Sequence, residues 1–428
     1  MVRDPIGDKR DRQSNPIQFC GARPPHCRTM TSQSLAAAGT VFTRTPQALS
    51  ATLHDSVADF AAWWAAARPQ ACLLPFQDPR VMAVWERTIG AGSGARCHVV
   101  RLDLNGAPLL AIYFALRPLN RRGLRLLTFM DGGVSDYNAP ILFEPLPNAL
   151  PPANRLWRHI FAALPRHDRI ELEKMPATVK HLLNPLWLAD GKPHRTAGHV
   201  MTLPSAWDEL MQEKGKSKIV KAAKRNYRQL NERGAVRLLM AHDLAERDQI
   251  LDAMLAAKRD QLRRMGVSDI FARPGVEDFY RQCAAIQNPP ITRLSGLLVN
   301  DEVVATNMGF VDAHHFCGVL TSFSQGPWAR YSCGHLHLQM LLRWASESGL
   351  RSFDFGIGDE DYKKFWCDRD IALRDMQGPV SVAGRAHDLF YSLRGHARGA
   401  FRHVCLPGRT GAKCRADRSS GTARNGAA

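Results

Sequence analysis

What this chain lacks narrows its class before any motif is read. It has ten cysteines but no Cys-x-x-Cys spacing, and the nearest pair, Cys20 and Cys27, falls in an N-terminal stretch that reads as a tail. That pattern speaks against a zinc site or a disulfide framework and for free thiols in a reducing compartment. No apolar run approaches the roughly 18 residues of a membrane-spanning helix. The opening "MVRDPIGDKRDRQSNPIQF" is charged and has no apolar core of the kind a secretory signal needs. The expectation is therefore a cytoplasmic protein with no transmembrane segment. There is no short-period repeat, and no glycine-rich loop with the fixed spacing of a phosphate cradle. Acids are scarce, 40 Asp and Glu against 57 Lys and Arg, for a formal net charge of +17.

That excess is not spread evenly. Residues 1–48 carry +4, residues 405–428 carry +4, and residues 214–233 carry +7, which leaves the body near neutral. A surface that binds polyanions everywhere is excluded; one internal basic segment remains. At 428 residues the chain is long for one core and suits two domains with tails. The expected division is a disordered N-terminal tail over 1–48, an N-terminal domain over 49–195, a C-terminal domain over 196–384, and a basic, mostly disordered tail over 385–428.

Hydrophobic periodicity fills in the domains. Residues 49–68 read as one helix bearing Leu53, Val57, Phe60, Trp63 and Trp64. Asn105-Gly106 signals a hairpin. A strand and the turn "MDGGVSDYNAP" follow, then a helix near 152–164 and the strand "RIELEKM". The second half repeats the rhythm. It has a basic helix with Ser217 as N-cap, Gly234 as stop, and a stripe of Ile219, Ala223, Tyr227 and Leu230. Strands turned at Asn300-Asp301 and Asp312-Ala313 come next, then a helix over 334–349 and the strand "RSFDFG". The shared order of helix, hairpin strands, helix and strand predicts a duplicated α/β fold.

Two stretches carry chemistry. In "HFCGVLTSFSQGPWARYSCG" a strand enters a turn rich in Gly, Ser and Pro, and a helix follows. The free amides and dipole of a helix start suit a phosphate, with Arg330 beside it. Thr321, Arg330, Tyr331, Ser332 and Gly334 are the candidate donor-binding residues. In "FDFGIGDEDYKKFW" Asp354 points away from Phe353 and Phe355. Gly356 and Gly358 permit a bulge or a close approach to a ligand. Asp359 and Glu360 sit at the strand's carboxyl end, where open α/β sheets bind ligands. Carboxylates there can take a proton from an attacking amine or hydroxyl, Tyr362 can return one to a leaving thiolate, and Lys363 can balance developing charge.

The block "FDFGIGDEDYKKFW" resembles the Asp-Phe-Gly, Gly-Asp-Glu, Tyr-Lys block of the acyltransferases related to FemAB and CelD, members of the GNAT superfamily. "GKSKIVKAAKRNYRQLNERG", "ARYSCGHLHLQMLLRWASESGL" and "SDYNAP" resemble further blocks of the same family, over roughly residues 70 to 370. The resemblance implies two tandem GNAT-like domains, each a mixed sheet flanked by helices. It also implies acyl transfer from acetyl-CoA or another acyl-CoA. The family's FemAB branch takes aminoacyl-tRNA instead. The motif match carries over Asp354, Asp359, Glu360, Tyr362 and Lys363 as catalytic candidates and Gly334 as the turn glycine. Asp136 and Tyr137 are the candidate acceptor-binding residues of the N-terminal half. Cys333 stands where the family has proline, and the family's fuller glycine-rich CoA loop is reduced to "WARYSCG".

Lys218, Lys221 and Arg225, with the rest of the basic helix, are candidates for holding an anionic partner: CoA phosphates, a nucleotide-sugar acceptor or tRNA. A solvated amphipathic face is the alternative. His314 and His315 point to opposite faces of a strand and do not make a metal pair; no metal is expected. Cys317, Cys333 and Cys367 read as small buried hydrophobes. Three functions stay open at this level. The first is an N- or O-acyltransferase acting on a sugar, polysaccharide precursor or small metabolite. The second is a transferase fed by aminoacyl-tRNA, and the third an inactive binding subunit.

Overall fold

The computed structural model describes residues 48–391, apart from 68, 122, 189, 190 and 288. Of the tails expected over 1–48 and 385–428, residues 1–47 and 392–428 lie outside the described residues, while residues 385–391, read as part of the disordered tail, belong to a helix that starts at 382. The described chain forms two mixed sheets flanked by helices.

The first half runs β1 (Leu49–His54), α1 (Val57–Ala67), α2 (Pro79–Trp85), β2 (Arg96–Leu104), β3 (Ala107–Pro118), β4 (Arg125–Phe129), α3 (Ala153–Ala163) and β5 (Arg169–Pro176). The single helix read over 49–68 is therefore a strand and a helix. Leu49, Ala51 and Leu53 alternate with Ser50 and Thr52, a period of two, and β1 pairs antiparallel with β2. Ser56 breaks the strand and its Oγ accepts the Asp59 amide at 3.0 Å, opening α1. Asn105 and Gly106 have φ of +53° and +84°, the left-handed pair of a tight hairpin between β2 and β3.

The second half continues with β6 (Gly198–Thr202), α4 (Trp207–Lys214), α5 (Lys218–Asn231), β7 (Val236–Met240), α6 (Leu244–Arg264), α7 (Val276–Ala284), β8 (Thr292–Val299), β9 (Glu302–Val311), β10 (His315–Phe323), α8 (Cys333–Glu347), β11 (Ser352–Ile357), α9 (Asp361–Trp366), β12 (Arg369–Ile371) and β13 (Leu373–Pro379). In α5, Ser217 caps as read, accepting the Val220 amide at 3.2 Å. The buried stripe is Val220, Ala223, Asn226 and Leu230, one position round from the stripe read at Ile219 and Tyr227. Tyr227 is 39 % exposed.

The two sheets share one plan. The first has the order β1-β2-β3-β4-β5-β13 and the second β7-β8-β9-β10-β11-β6-β12. In each, three antiparallel neighbours lead to one parallel pair, β4 with β5 and β10 with β11, joined across α3 and α8. The next strand is exchanged between the halves. β6, which follows the first half, pairs with β11, and β13, which ends the second, pairs with β5. Residues 373–379 thus belong to the first sheet, although the sequence reading grouped 196–384 together. Among the cores, Phe316, Phe353, Phe355, Leu341, Leu342 and Trp366 form the one beneath the candidate site. Phe316 and Phe353 stack at 4.6 Å, and each fully buried ring contributes about 1.5–3 kcal/mol.

Candidate active site

The parallel pair β10–β11 lasts three rungs, ending at Cys317 opposite Asp354. Just beyond, both strands carry an extra residue. On β10, Val319 lies between Gly318 and Leu320, whose partners on β9 are the adjacent Gly309 and Met308. On β11 the pairs with β6 step from Asp354 to Ile357 while β6 steps only from Val200 to Gly198. Bulges bend a strand and raise its twist, and the β10–β11 pairing ends here, a fork in the ladder. Gly356 has φ +69°, and a Cβ there would lie 2.1 Å from Asp136 Oδ2. A Cβ on Gly198 would lie 2.1 Å from Tyr137 Oη. Both positions need glycine because the turn from the first half closes onto them.

That closure assembles the site from both halves. Tyr137 Oη donates to Asp354 Oδ1 at 2.8 Å, and the Gly356 amide donates to the same oxygen at 2.7 Å. The Ile357 amide donates to Asp136 Oδ2 at 3.3 Å. Burial pushes the Asp354 carboxyl up to about 6, with the Gly356 amide and Tyr137 hydroxyl pulling back. Burial pushes Asp136 up to about 7; Lys174 holds it down and the Asp354 charge lifts it. Lys174, itself left-handed at φ +61°, pairs with Asp131 and donates to the Ser135 carbonyl. Asp136, Tyr137 and Asp354, read separately in the sequence, are thus one cluster.

The other motif residues are placed differently. Asp359 and Glu360 have side chains 58 % and 57 % exposed. Lys363 is buried; its ammonium donates to the Ile357 carbonyl at 2.7 Å and pairs with Glu360 at 3.0 Å. Its charge ties the end of β11 to the start of α9. Tyr362 is half-buried, its ring 5.8 Å from His335 in the first turn of α8 and 6.2 Å from Phe355. Burial pushes its hydroxyl up to about 12, so it keeps its proton at neutral pH.

Two neighbours were not read from sequence. His199 on β6 is buried, with Nδ1 at 2.7 Å from Asp370 Oδ1 and Nε2 at 3.4 Å from Asp359 Oδ1. Lys258 on α6 is half-buried; burial lowers its pKa against the pull of Glu360. His199 comes to the site only through the strand exchange, and Lys258 sits in a stretch that reads simply as helix.

The proposed phosphate turn lies between β10 and α8. Thr321 is exposed, and its hydroxyl accepts from Asn307 at 2.9 Å. Arg330 is exposed, 4.9 Å from the Tyr331 ring centroid. Ser332 has φ +51° and immediately precedes α8; for a residue with a Cβ that is a strained setting. A Cβ on Gly334 would come 2.9 Å from the Phe323 ring. Asn226 of α5 donates to the Tyr331 carbonyl at 2.9 Å, fixing the basic helix beside the turn. Lys218, Lys221 and Arg225 stay in solvent on its outer face. Burial pushes the Cys317, Cys333 and Cys367 thiols up, the last two to about 11 and about 12, so none is a ready nucleophile. Among the described residues no group of His, Cys, Asp and Glu is arranged to hold a metal ion, and no helix is long and apolar enough to cross a membrane.

Residues 217–364 match the family model described as an acetyltransferase (GNAT) domain, a segment that ends within the Tyr362-Lys363 corner. No curated protein matches the chain. Among solved structures, "Crystal structure of FemX" overlaps with TM-score 0.44 at 10 % identity, over 69 % of this chain and 90 % of that one. A tandem GNAT protein from the clavulanic acid biosynthesis pathway overlaps with TM-score 0.41 at 12 % identity, over 78 % and 100 %. The C-terminal domain of a lysylphosphatidylglycerol synthetase from Agrobacterium fabrum, described there as putative, gives TM-score 0.42 at 11 % identity, over 70 % and 87 %. At that level of overlap these likenesses say nothing about what this chain acts on.

Proposed function

We propose that this chain, an acyltransferase by its GNAT domain at residues 217–364, moves an acyl group from an acyl-CoA thioester to an amine or hydroxyl of a sugar, polysaccharide precursor or small metabolite. The observation that carries the reading is the cluster of Asp136, Tyr137 and Asp354 at the fork where the β10–β11 pairing ends. The donor's phosphates lie at the Ser332–Gly334 turn, with Arg330 near them, and its carbonyl lies at the fork. Asp136 takes the proton of the acceptor as its nitrogen or oxygen attacks the thioester carbon. Asp354 holds Tyr137 and, through it, the turn that carries Asp136. The carbon–sulfur bond breaks, and Tyr362 delivers a proton to the departing thiolate. A base whose carboxyl titrates near neutrality and an acid that stays protonated match those two tasks. Asp359, Glu360 and Lys363 shape and close the acceptor side.

The exposed cations of α5 favour a second reading, in which an aminoacyl-tRNA is the donor. Thermal shift with acetyl-CoA, longer acyl-CoAs and charged tRNA separates the two. A rise with CoA esters alone supports acyl-CoA, and a rise with tRNA alone, weakening steeply with salt, supports the second. No rise with any of them removes both.

A further inference from the structure

The first sheet forks in the same way as the second. β4 and β5 pair over three rungs, ending at Thr128 opposite Glu171. β5 then carries its own extra residue: its pairs with β13 step from Met175 to Leu172 while β13 steps only from Arg374 to Met376. A cavity of about 420 Å³ opens at this fork. Its apolar walls include Trp85, Ile89, Phe129 and Val276. Its charged groups are of both signs. Glu171 and Glu173 come from β5, and Arg117 and Arg273 also line it. Glu171 is paired with Arg169 at 3.1 Å. Glu173 accepts from the Gln377 amide, a neutral partner, so no cation offsets its charge. Among the described residues neither Arg117 nor Arg273 forms an ion pair, and both are exposed. The fifth charge in the lining, Asp131, is already taken by Lys174.

We infer that this first fork is a second ligand site, and that its occupant is a free α-amino acid with an apolar side chain. The ammonium meets the carboxylate of Glu173, the carboxylate meets the guanidinium of Arg273 or Arg117, and the side chain enters the apolar walls. A phosphate-bearing ligand is disfavoured there by Glu173, so the two forks take ligands of different charge. The cavity rim at Gly132 and Gly133 begins the turn that carries Asp136 and Tyr137, so the occupant touches the segment that closes the candidate active site.

Calorimetry on the full chain, with no acyl donor present, tests this apart from the catalytic proposal. The probes are L-leucine, L-leucine methyl ester and 4-methylpentanoate. L-leucine is expected to bind at least about tenfold more tightly than either the ester or the acid, because each lacks one charge. Glu173→Gln keeps a partner for Gln377, and Arg273→Leu changes an exposed side chain, so both should fold with an unaltered Tm. Each is expected to weaken L-leucine binding by about tenfold or more. Ester or acid binding as tightly as L-leucine, variants binding like the parent chain, or no heat with L-leucine at about 10 mM would each overturn the inference.

Discussion

The two forks are built alike and equipped differently. Each opens after three parallel rungs, and in each the second strand bulges against an exchanged partner. At the bulge of the second fork stands Gly356, φ +69°; at that of the first stands Lys174, φ +61°. The glycine leaves room for Asp136, which nearly touches its Cα hydrogen side, and places no cation there. The lysine instead sends its ammonium to Asp131 and neutralises it. A helix starts soon after the second fork, at Cys333, whereas the first has only the 130–152 connection before α3. A shared fold therefore fixes where a ligand can enter, and a few side chains decide which ligand.

The largest expected effect is on the cluster that only the second fork has. Asp136→Asn should lower kcat by about 10²- to 10⁴-fold and leave the Tm unchanged or higher, since it removes a carboxyl held above its ordinary range. Steady-state kinetics beside a melting curve checks both. Gly356→Ala forces a Cβ against Asp136 Oδ2 in a left-handed backbone. It should cost about 1–3 kcal/mol and most of the activity. Lys363→Ala strips the Ile357 carbonyl of its donor. It should cost about 1–3 kcal/mol in a urea titration, with Lys363→Arg restoring part of it.

The two raised carboxyls give a pH signature. Asp136 and Asp354 titrate near 7 and 6 in the folded chain, above the ordinary 3.8. The folded chain therefore binds more protons than the unfolded one between about pH 4 and 7, so their contribution to stability is full below that window and is lost as pH rises through it. Turnover should run the opposite way, rising with pH through about 7 as Asp136 ionises. Asp136→Asn should flatten the turnover curve and leave only the Asp354 part of the stability curve. The smallest effect belongs to the solvent face of α5. Lys221→Ala with Arg225→Ala should leave the unfolding free energy within about 0.5 kcal/mol of the parent and, if the donor is acyl-CoA, change KM only a few-fold.

Much of this was legible in sequence because the signals are local. Asn105-Gly106 and Ser217 act through their own turns, and Asp354 with its flanking rings obeys strand alternation. Two errors were local as well. Leu49 to His54 is short enough for a strand to hide in front of a helix, and the α5 stripe shifts by one because Asn226, a polar residue, spends its amide on Tyr331. The meeting of Asp136 and Tyr137 with Asp354 was not legible, because it depends on how the halves close. Nor was His199, which reaches the site through strand exchange, or the exposure of Asp359 and Glu360, which a run of acids does not reveal.

Amide hydrogen exchange with and without acetyl-CoA compares the forks directly. The account predicts slowed exchange at residues 318–323, 329–336 and 356–358, and none at 128–133 or 171–174. Protection confined to the first fork, or absent from both, would contradict it.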